Sequence, residues 1–173
     1  MNAIPGFKKI PVKTWYLTFG GEIPKINFAD GPISIERWEN PEIDNYLELY
    51  QEVGRAWGWT GRLLKTEDEL TAILNSTGNE IWLFRIDQEL AGFFELVRLE
   101  HETEIVYLGL KPGWIGKGLG RKLIQTAVAV SGQKGQKVWL HTCERDHPEA
   151  LKAYLKAGFI IEKELISHEY YPE

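Results

Sequence analysis

Residues 108–121 read Leu108-Gly109-Leu110-Lys111-Pro112-Gly113-Trp114-Ile115-Gly116-Lys117-Gly118-Leu119-Gly120-Arg121, and this stretch decides the fold. An apolar run at 105–110 reads as a strand and stops at Pro112. Three alternating glycines follow, Gly116, Gly118 and Gly120. A helical pattern begins at once, with Leu119, Leu123, Ile124, Ala127 and Val128 at helix spacing. Glycines at a strand-to-helix turn let the backbone bend tightly and aim several N–H groups at one point, and the helix N-terminus adds partial positive charge. Lys111, Lys117, Arg121 and Lys122 crowd the same turn, with no acid between 111 and 122. The physics asks for a phosphate or pyrophosphate. Two common phosphate loops fail on the letters. The dinucleotide fingerprint needs glycine where Arg121 stands, and a Walker loop needs Gly-Lys-Ser/Thr where Gly118 precedes Leu119 and Gly120 precedes Arg121.

A second motif lies about one βαβ unit further on. After a strand at 137–142 come Asp146, His147, Pro148, Glu149, Ala150, Leu151, Lys152, Ala153, Tyr154, Leu155, Lys156, Ala157, Gly158 and Phe159. Asp146 and Glu149 have the spacing of a capping box, Pro148 suits a first helical turn, and Gly158 suits a helix end. Together the two motifs resemble the GCN5-related N-acetyltransferases (GNAT). Gly118 and Gly120 match that family's acetyl-CoA loop, Arg/Gln-x-x-Gly-x-Gly/Ala, while Ile115 stands at its first, polar position. Ala150, Tyr154, Gly158 and Phe159 match the family's Asn-x-x-Ala-x-x-x-Tyr-x-x-x-Gly-Phe helix, with His147 in place of the Asn. The segments 46–50, 53–59, 92–96 and 141–143 are similar to a bacterial branch of the family, over most of the chain from about Trp15 onward. The resemblance supplies no acceptor.

The resemblance implies an α/β fold: a central mixed, mostly antiparallel sheet of six to seven strands, flanked by about four helices and splayed at the cofactor strand. It implies acetyl-CoA as co-substrate, with its pantetheine arm paired to the backbone of Leu108 and Leu110. The pyrophosphate would then rest on the loop of Ile115, Gly116, Lys117, Gly118, Leu119, Gly120 and Arg121, with His147 beside the cofactor or simply capping its helix. The Leu110 N–H is the implied oxyanion donor and Tyr154 the implied acid for the departing thiolate. Acetyl transfer to an amine also requires a base, because a primary amine is mostly protonated at neutral pH. Glu104 is the first candidate, on a strand similar to the one that carries the glutamate base in the family's histone acetyltransferases. Glu95, a polar residue inside Phe93-Phe94-Glu95-Leu96, is the second, facing either solvent or the acceptor cleft. His141 lies beside the splay as a relay member or a structural histidine. Cys143 reads as a small strand residue rather than an acetylated nucleophile. Trp57 and Trp59, with Arg55 and Arg62 nearby, occupy the connection between the first two helices, which overhangs the acceptor site in this fold. They read as an aromatic wall for an apolar or cationic acceptor, or as indoles anchoring a packed loop.

The remaining chain is consistent with this. Its 173 residues suit one domain with a real core. Residues 1–30, rich in Gly, Pro and Lys with a strand candidate at 13–19, read as an N-terminal extension packing on a domain of residues 31–173. Strands are expected at 33–38, 80–86, 90–99, 103–110, 137–142, 159–165 and 168–171. Helices are expected from Pro41 and from the Thr66–Glu69 capping box. The net charge of −5 argues against a general nucleic-acid binder and leans toward a cationic or neutral acceptor. One cysteine excludes an internal disulfide and fits a reducing cytosol. No apolar run approaches a membrane span, no secretory leader is evident, and the four histidines show no metal-ligand spacing. The expectation is a cytoplasmic enzyme without metal, acting on a small-molecule or peptide amine, with no nucleic acid and no membrane as partner. The segment 162–171 offers an edge through which a homodimer would pair. A non-catalytic acyl-CoA binding module is the alternative. The Tyr154→Phe substitution separates the two.

Overall fold

In the computed structural model, which describes residues 4–132 and 135–173, the elements run β1 (Phe7–Phe19), β2 (Ile33–Arg37), α1 (Ile43–Gly54), α2 (Glu67–Leu74), β3 (Asn79–Ile86), β4 (Glu89–Arg98), β5 (Glu102–Leu110), α3 (Leu119–Ser131), β6 (Lys137–Cys143), α4 (Ala150–Ala157) and β7 (Phe159–Pro172). The strands form one sheet in the order β2-β3-β4-β5-β6-β1-β7. Every neighbouring pair is antiparallel except β5 with β6. This is the mixed, splayed α/β architecture that the sequence implies.

Two cores form because β3 and β4 bury side chains on both faces of the sheet. Phe84, Phe94 and Leu96 meet Leu123, Ile124, Ala127 and Val128 of α3 on one face. Ile81, Leu83 and Phe93 meet Tyr46, Leu49, Tyr50 and Val53 of α1 on the other. Each fully buried aromatic or aliphatic side chain contributes about 1.5–3 kcal/mol. Arg98 closes the C-terminal end of α3, donating to the Val130 and Ser131 carbonyls while its other edge pairs with Glu80 at 2.7 Å. The Thr66–Glu69 capping box opens α2 as expected. The Asp87-Gln88 turn between β3 and β4 holds both residues at positive φ, as a tight hairpin requires.

One expectation is extended and one corrected. The strand of the N-terminal segment is part of the sheet itself. It is hydrogen-bonded on both edges, between β6 and β7, and begins at Phe7. The two C-terminal strands are one, because β1 templates all of β7 across a single register shift between Tyr16 and Leu17. β7 is an edge of the sheet and exposes Ile160, Ile161, Leu165 and Ile166. The register shift beside Glu162 and the charges of Glu162, Lys163 and Glu164 are the devices by which edge strands resist uncontrolled pairing. No helix among the described residues is long and apolar enough to cross a membrane.

The functional consequence lies at the one parallel pairing. β5 and β6 share only three paired positions, Glu102–Lys137, Thr103–Val138 and Glu104–Trp139. Beyond Glu104, β5 follows β4 as far as Leu110 opposite Gly92, and β6 follows β1 as far as Cys143 opposite Thr14. The sheet opens between them.

Candidate active site

A cavity of about 430 Å³ fills that opening. Its floor is β5 from Ile105 to Leu110, and its far wall is Leu140, His141 and Cys143 of β6. The glycine loop and Ala150, Ala153 and Tyr154 of α4 close one end. Lys111 N–H bonds back to the Ala91 carbonyl on β4. Strand alternation therefore turns the N–H and C=O of Leu110 and Leu108 toward the gap, with nothing from β6 to meet them. The glycine loop is shaped by necessity at two positions. Gly116 and Gly118 have φ of +82° and +73°, where side chains are strained. Gly118 caps α3, whose first-turn N–H groups have no helical partner. At Gly120 a Cβ would meet no protein atom. That gives an open cradle at a helix N-terminus, the form a phosphate group fits. Ile115, Gly116, Gly118, Leu119 and Gly120 line the cavity, while Lys117 lies over the Trp114 ring 4.9 Å from its centroid. Lys117 and Arg121 are absent from the lining, so any part they take is at its rim.

The two candidate bases separate sharply. Glu95 is sealed: its side chain is 0% exposed, Arg62 Nη2 approaches one oxygen at 2.6 Å, and the Tyr46 hydroxyl donates to the other at 2.6 Å. Arg62 also donates from Nε to Tyr46, and its guanidinium lies over the Tyr107 ring. Burial, the largest single influence, works against the Arg62 charge. The Glu95 carboxylate and the Tyr46 and Tyr107 phenols together outweigh it and hold the guanidinium pKa above its ordinary value. Burial likewise raises Tyr46 and Tyr50, keeping both phenols neutral. Glu95 therefore faces neither solvent nor the acceptor cleft. It anchors the connection between α1 and α2, of which Arg62 is part. Glu104 sits where the strands part, with Oε1 3.3 Å from His141 Nδ1, and its side chain is 20% exposed against 40% for His141. His141 lines the cavity and Glu104 does not. The hydrogen bond to Glu104 raises the His141 pKa above its ordinary value. Burial opposes this, and Glu104, Asp146 and Glu169 add their charges to the rise.

Of the other expected residues, Tyr154 lines the cavity edge-on to Phe159. Burial, with Asp146 adding to it, pushes its phenol pKa up and keeps the proton on oxygen. His147 also lines the cavity, and its Nδ1 accepts the Glu149 N–H at 3.1 Å. It thus shapes the turn into α4. The capping box expected of Asp146 and Glu149 is absent: Asp146 instead accepts the Thr142 hydroxyl at 2.6 Å and the Cys143 N–H at 3.0 Å. Burial, with Asp146 adding, raises the Cys143 thiol pKa, which disfavours a nucleophilic thiolate. Trp57 and Trp59 divide. Trp57 packs on His147, ring centroids 4.7 Å apart, across the cavity mouth. Trp59 borders the cavity but spends its ring on Tyr50, Phe93 and Tyr107, so it is chiefly a core anchor. Gly109 makes room for Val53, with which a Cβ there would collide, and the Trp59 ring lies next to it.

Three contributors were not singled out by sequence. In the sequence Arg62 stands only as a neighbour of the tryptophans. A carboxylate in an apolar strand signals a buried cation somewhere, but not which one. Glu169 and Tyr171 of β7 line the cavity because β7 is continuous.

A family model described as the acetyltransferase (GNAT) family matches residues 43–159. A spermidine N(1)-acetyltransferase from Thermoplasma acidophilum is 28% identical over 151 residues, covering 82% of this chain and 89% of that protein. Two solved structures share the fold. PaiA N-acetyltransferase from Thermoplasma acidophilum, in complex with coenzyme A, superposes with TM-score 0.57 at 21% identity, over 80% of this chain and 99% of its own. An aminoglycoside acetyltransferase from an uncultured soil metagenomic sample, in complex with trehalose, gives 0.61 at 19% identity, over 82% and 97%.

Proposed function

This chain belongs to the acetyltransferase (GNAT) family and is an acetyl-CoA-dependent N-acetyltransferase, and from that premise we propose that its acceptor is a polycationic amine of the polyamine class. One observation carries the reading. The cavity is lined by Asp146, Glu149 and Glu169 and by the indole of Trp57, with no Lys or Arg among its lining residues, while the rings of Tyr107 and Tyr171 already carry Arg62 and Arg145. An acidic, aromatic mouth attracts a cation through charge and ring quadrupole together. The similarity to a spermidine acetyltransferase supports the same class.

Acetyl-CoA supplies the acetyl group as an activated thioester. The residues that would hold it are the Leu108 and Leu110 backbone, the loop from Ile115 to Arg121, and His147. The open cradle at Gly120 and the unpaired edge of β5 support that fit. The Leu110 N–H would donate to oxyanion charge in the gap. Tyr154, which lines the cavity and is held protonated, would give its proton to the departing sulfur. The amine nitrogen bonds to the acetyl carbon as the carbon–sulfur bond breaks. One ammonium proton leaves before attack, and a second replaces the one that Tyr154 gives up.

The test is thiol release from acetyl-CoA against spermidine, an aminoglycoside, butylamine, a peptide N-terminus and glutamate. Turnover is expected to be fastest with spermidine, slower with butylamine and absent with glutamate. Equal rates with all amines would remove the acidic mouth as a selector. Silence across the panel, with acetyl-CoA bound, is the behaviour of a binding module.

A further inference from the structure

The acetyl-transfer reading leaves the base unassigned, and resting on that reading we propose that His141 takes the proton from the acceptor ammonium while Glu104 is its positioning residue. The geometry points there by exclusion and by construction. Glu95 has both oxygens engaged and no exposed surface. Asp146 is committed to Thr142 and the Cys143 N–H, and Glu149 stands at the exposed surface beside Lys152. The His147 Nδ1 accepts the Glu149 N–H, so its neutral ring carries the hydrogen on Nε2 and presents no lone pair to the cavity. Glu169 lines the mouth on the edge strand. Its exposed carboxylate stands at the mouth, where it suits attraction of a distal ammonium.

Construction favours the Glu104–His141 pair. Glu104 is the last residue of β5 that pairs with β6, opposite Trp139. His141 is two residues further along β6 and so lies on the same face as Trp139. The carboxylate therefore reaches along the strand to the imidazole at the point where the sheet opens. From the other side the Tyr16 ring stacks on the imidazole, with centroids 5.5 Å apart. Glu104 holds Nδ1, which leaves Nε2 for the cavity that His141 lines. The carboxylate has no place in that lining, so it meets the acceptor only through the ring.

The chemistry fits that geometry. A base must be neutral to accept a proton, and it removes one from an ammonium best when its own affinity for protons is high. The groups facing His141 are Glu104 from β5, Asp146 beyond the end of β6 and Glu169 from β7. The Tyr16 ring comes from β1, and Lys163 of β7 lies over that ring, 4.5 Å from its centroid. The three carboxylates, against an ammonium that sits on the Tyr16 ring, strengthen the imidazole as a base. The proton moves from the acceptor nitrogen to Nε2 and then to water, leaving the nitrogen lone pair free to attack.

The experiment is the pH profile of kcat/KM for acetyl-CoA and spermidine, with His141 followed by NMR in the full chain. For the wild type the acidic limb should rise through a pKa above that of an ordinary histidine. His141→Gln should lower kcat/KM by about 10²-fold or more and abolish that limb, with acetyl-CoA affinity unchanged. Glu104→Gln should lower kcat/KM less and move the limb to lower pH, because the imidazolium loses the partner that stabilises it. The same shift should appear in the His141 resonance. An intact acidic limb in His141→Gln overturns the assignment. So does a Glu104→Gln loss larger than that of His141→Gln, and so does a His141 resonance that ignores Glu104→Gln. A wild type that binds acetyl-CoA but acetylates no amine overturns the transfer reading instead, and the base falls with it.

Discussion

Two carboxylates stand on neighbouring strands of the sheet, Glu95 on β4 paired with Arg62 of the α1–α2 connection, and Glu104 on β5 paired with His141 of β6. In the first, the carboxylate is dry, both oxygens are bonded, and the cation is capped by an aromatic ring. In the second, one oxygen meets an imidazole that borders a cavity, and both side chains keep contact with solvent. Removing water strengthens an ion pair and at the same time shuts its proton off from any substrate. Partial exposure weakens the attraction and leaves the proton exchangeable. The sealed pair fixes the connection between α1 and α2. The open pair is free to do chemistry.

The largest effect should come from breaking the sealed pair. Arg62→Met leaves Glu95 buried without its cation, at a cost of about 3–5 kcal/mol of folding stability by urea denaturation. The double substitution Arg62→Met with Glu95→Leu should recover most of that loss, because two apolar groups need no partner. A single-variant cost below about 1 kcal/mol would mean that water reaches Glu95 and that the contrast is false.

On the open side the next effect is kinetic. Tyr154→Phe should cut kcat by about 10²-fold with acetyl-CoA affinity unchanged, as loss of a proton donor does. Unchanged turnover would remove the acid role. Glu169→Gln should then raise KM for spermidine by about 3–10-fold, or about 0.7–1.4 kcal/mol, and leave butylamine unaffected. The difference should fade with added salt, since the carboxylate lies at an exposed mouth. Equal changes for both amines would place Glu169 outside acceptor selection.

This contrast also marks what the sequence could disclose. The glycine loop was legible because its requirements are local. Positive φ at Gly116 and Gly118 and an open cradle at Gly120 follow from neighbours a few residues away. The Thr66–Glu69 box was legible for the same reason. The identical spacing at Asp146–Glu149 misled, because Asp146 had nearer donors at the end of β6. Burial of Glu95 depends on Arg62, 33 residues away, and on a loop that folds back across β5. The place of β1 between β6 and β7 depends on pairings more than a hundred residues apart. Strand alternation shows that a carboxylate has a face. It does not show what the opposite surface brings to that face.

The smallest effect decides whether the open pair is structural after all. Glu104→Gln should change folding stability by less than about 1 kcal/mol, since His141 and Glu104 are both in contact with solvent that screens them. The sign is testable as well. Glu104 raises the His141 pKa in the folded chain. Its contribution is therefore present in full below the ordinary histidine pKa and disappears as pH rises through the folded value. Urea titrations at pH 6 and pH 9 should show a small cost for Glu104→Gln at the first and none at the second. A cost of several kcal/mol that persists at pH 9 would make Glu104 a second sealed anchor. The distinction between a pair that holds the loop and a pair that moves a proton would then collapse.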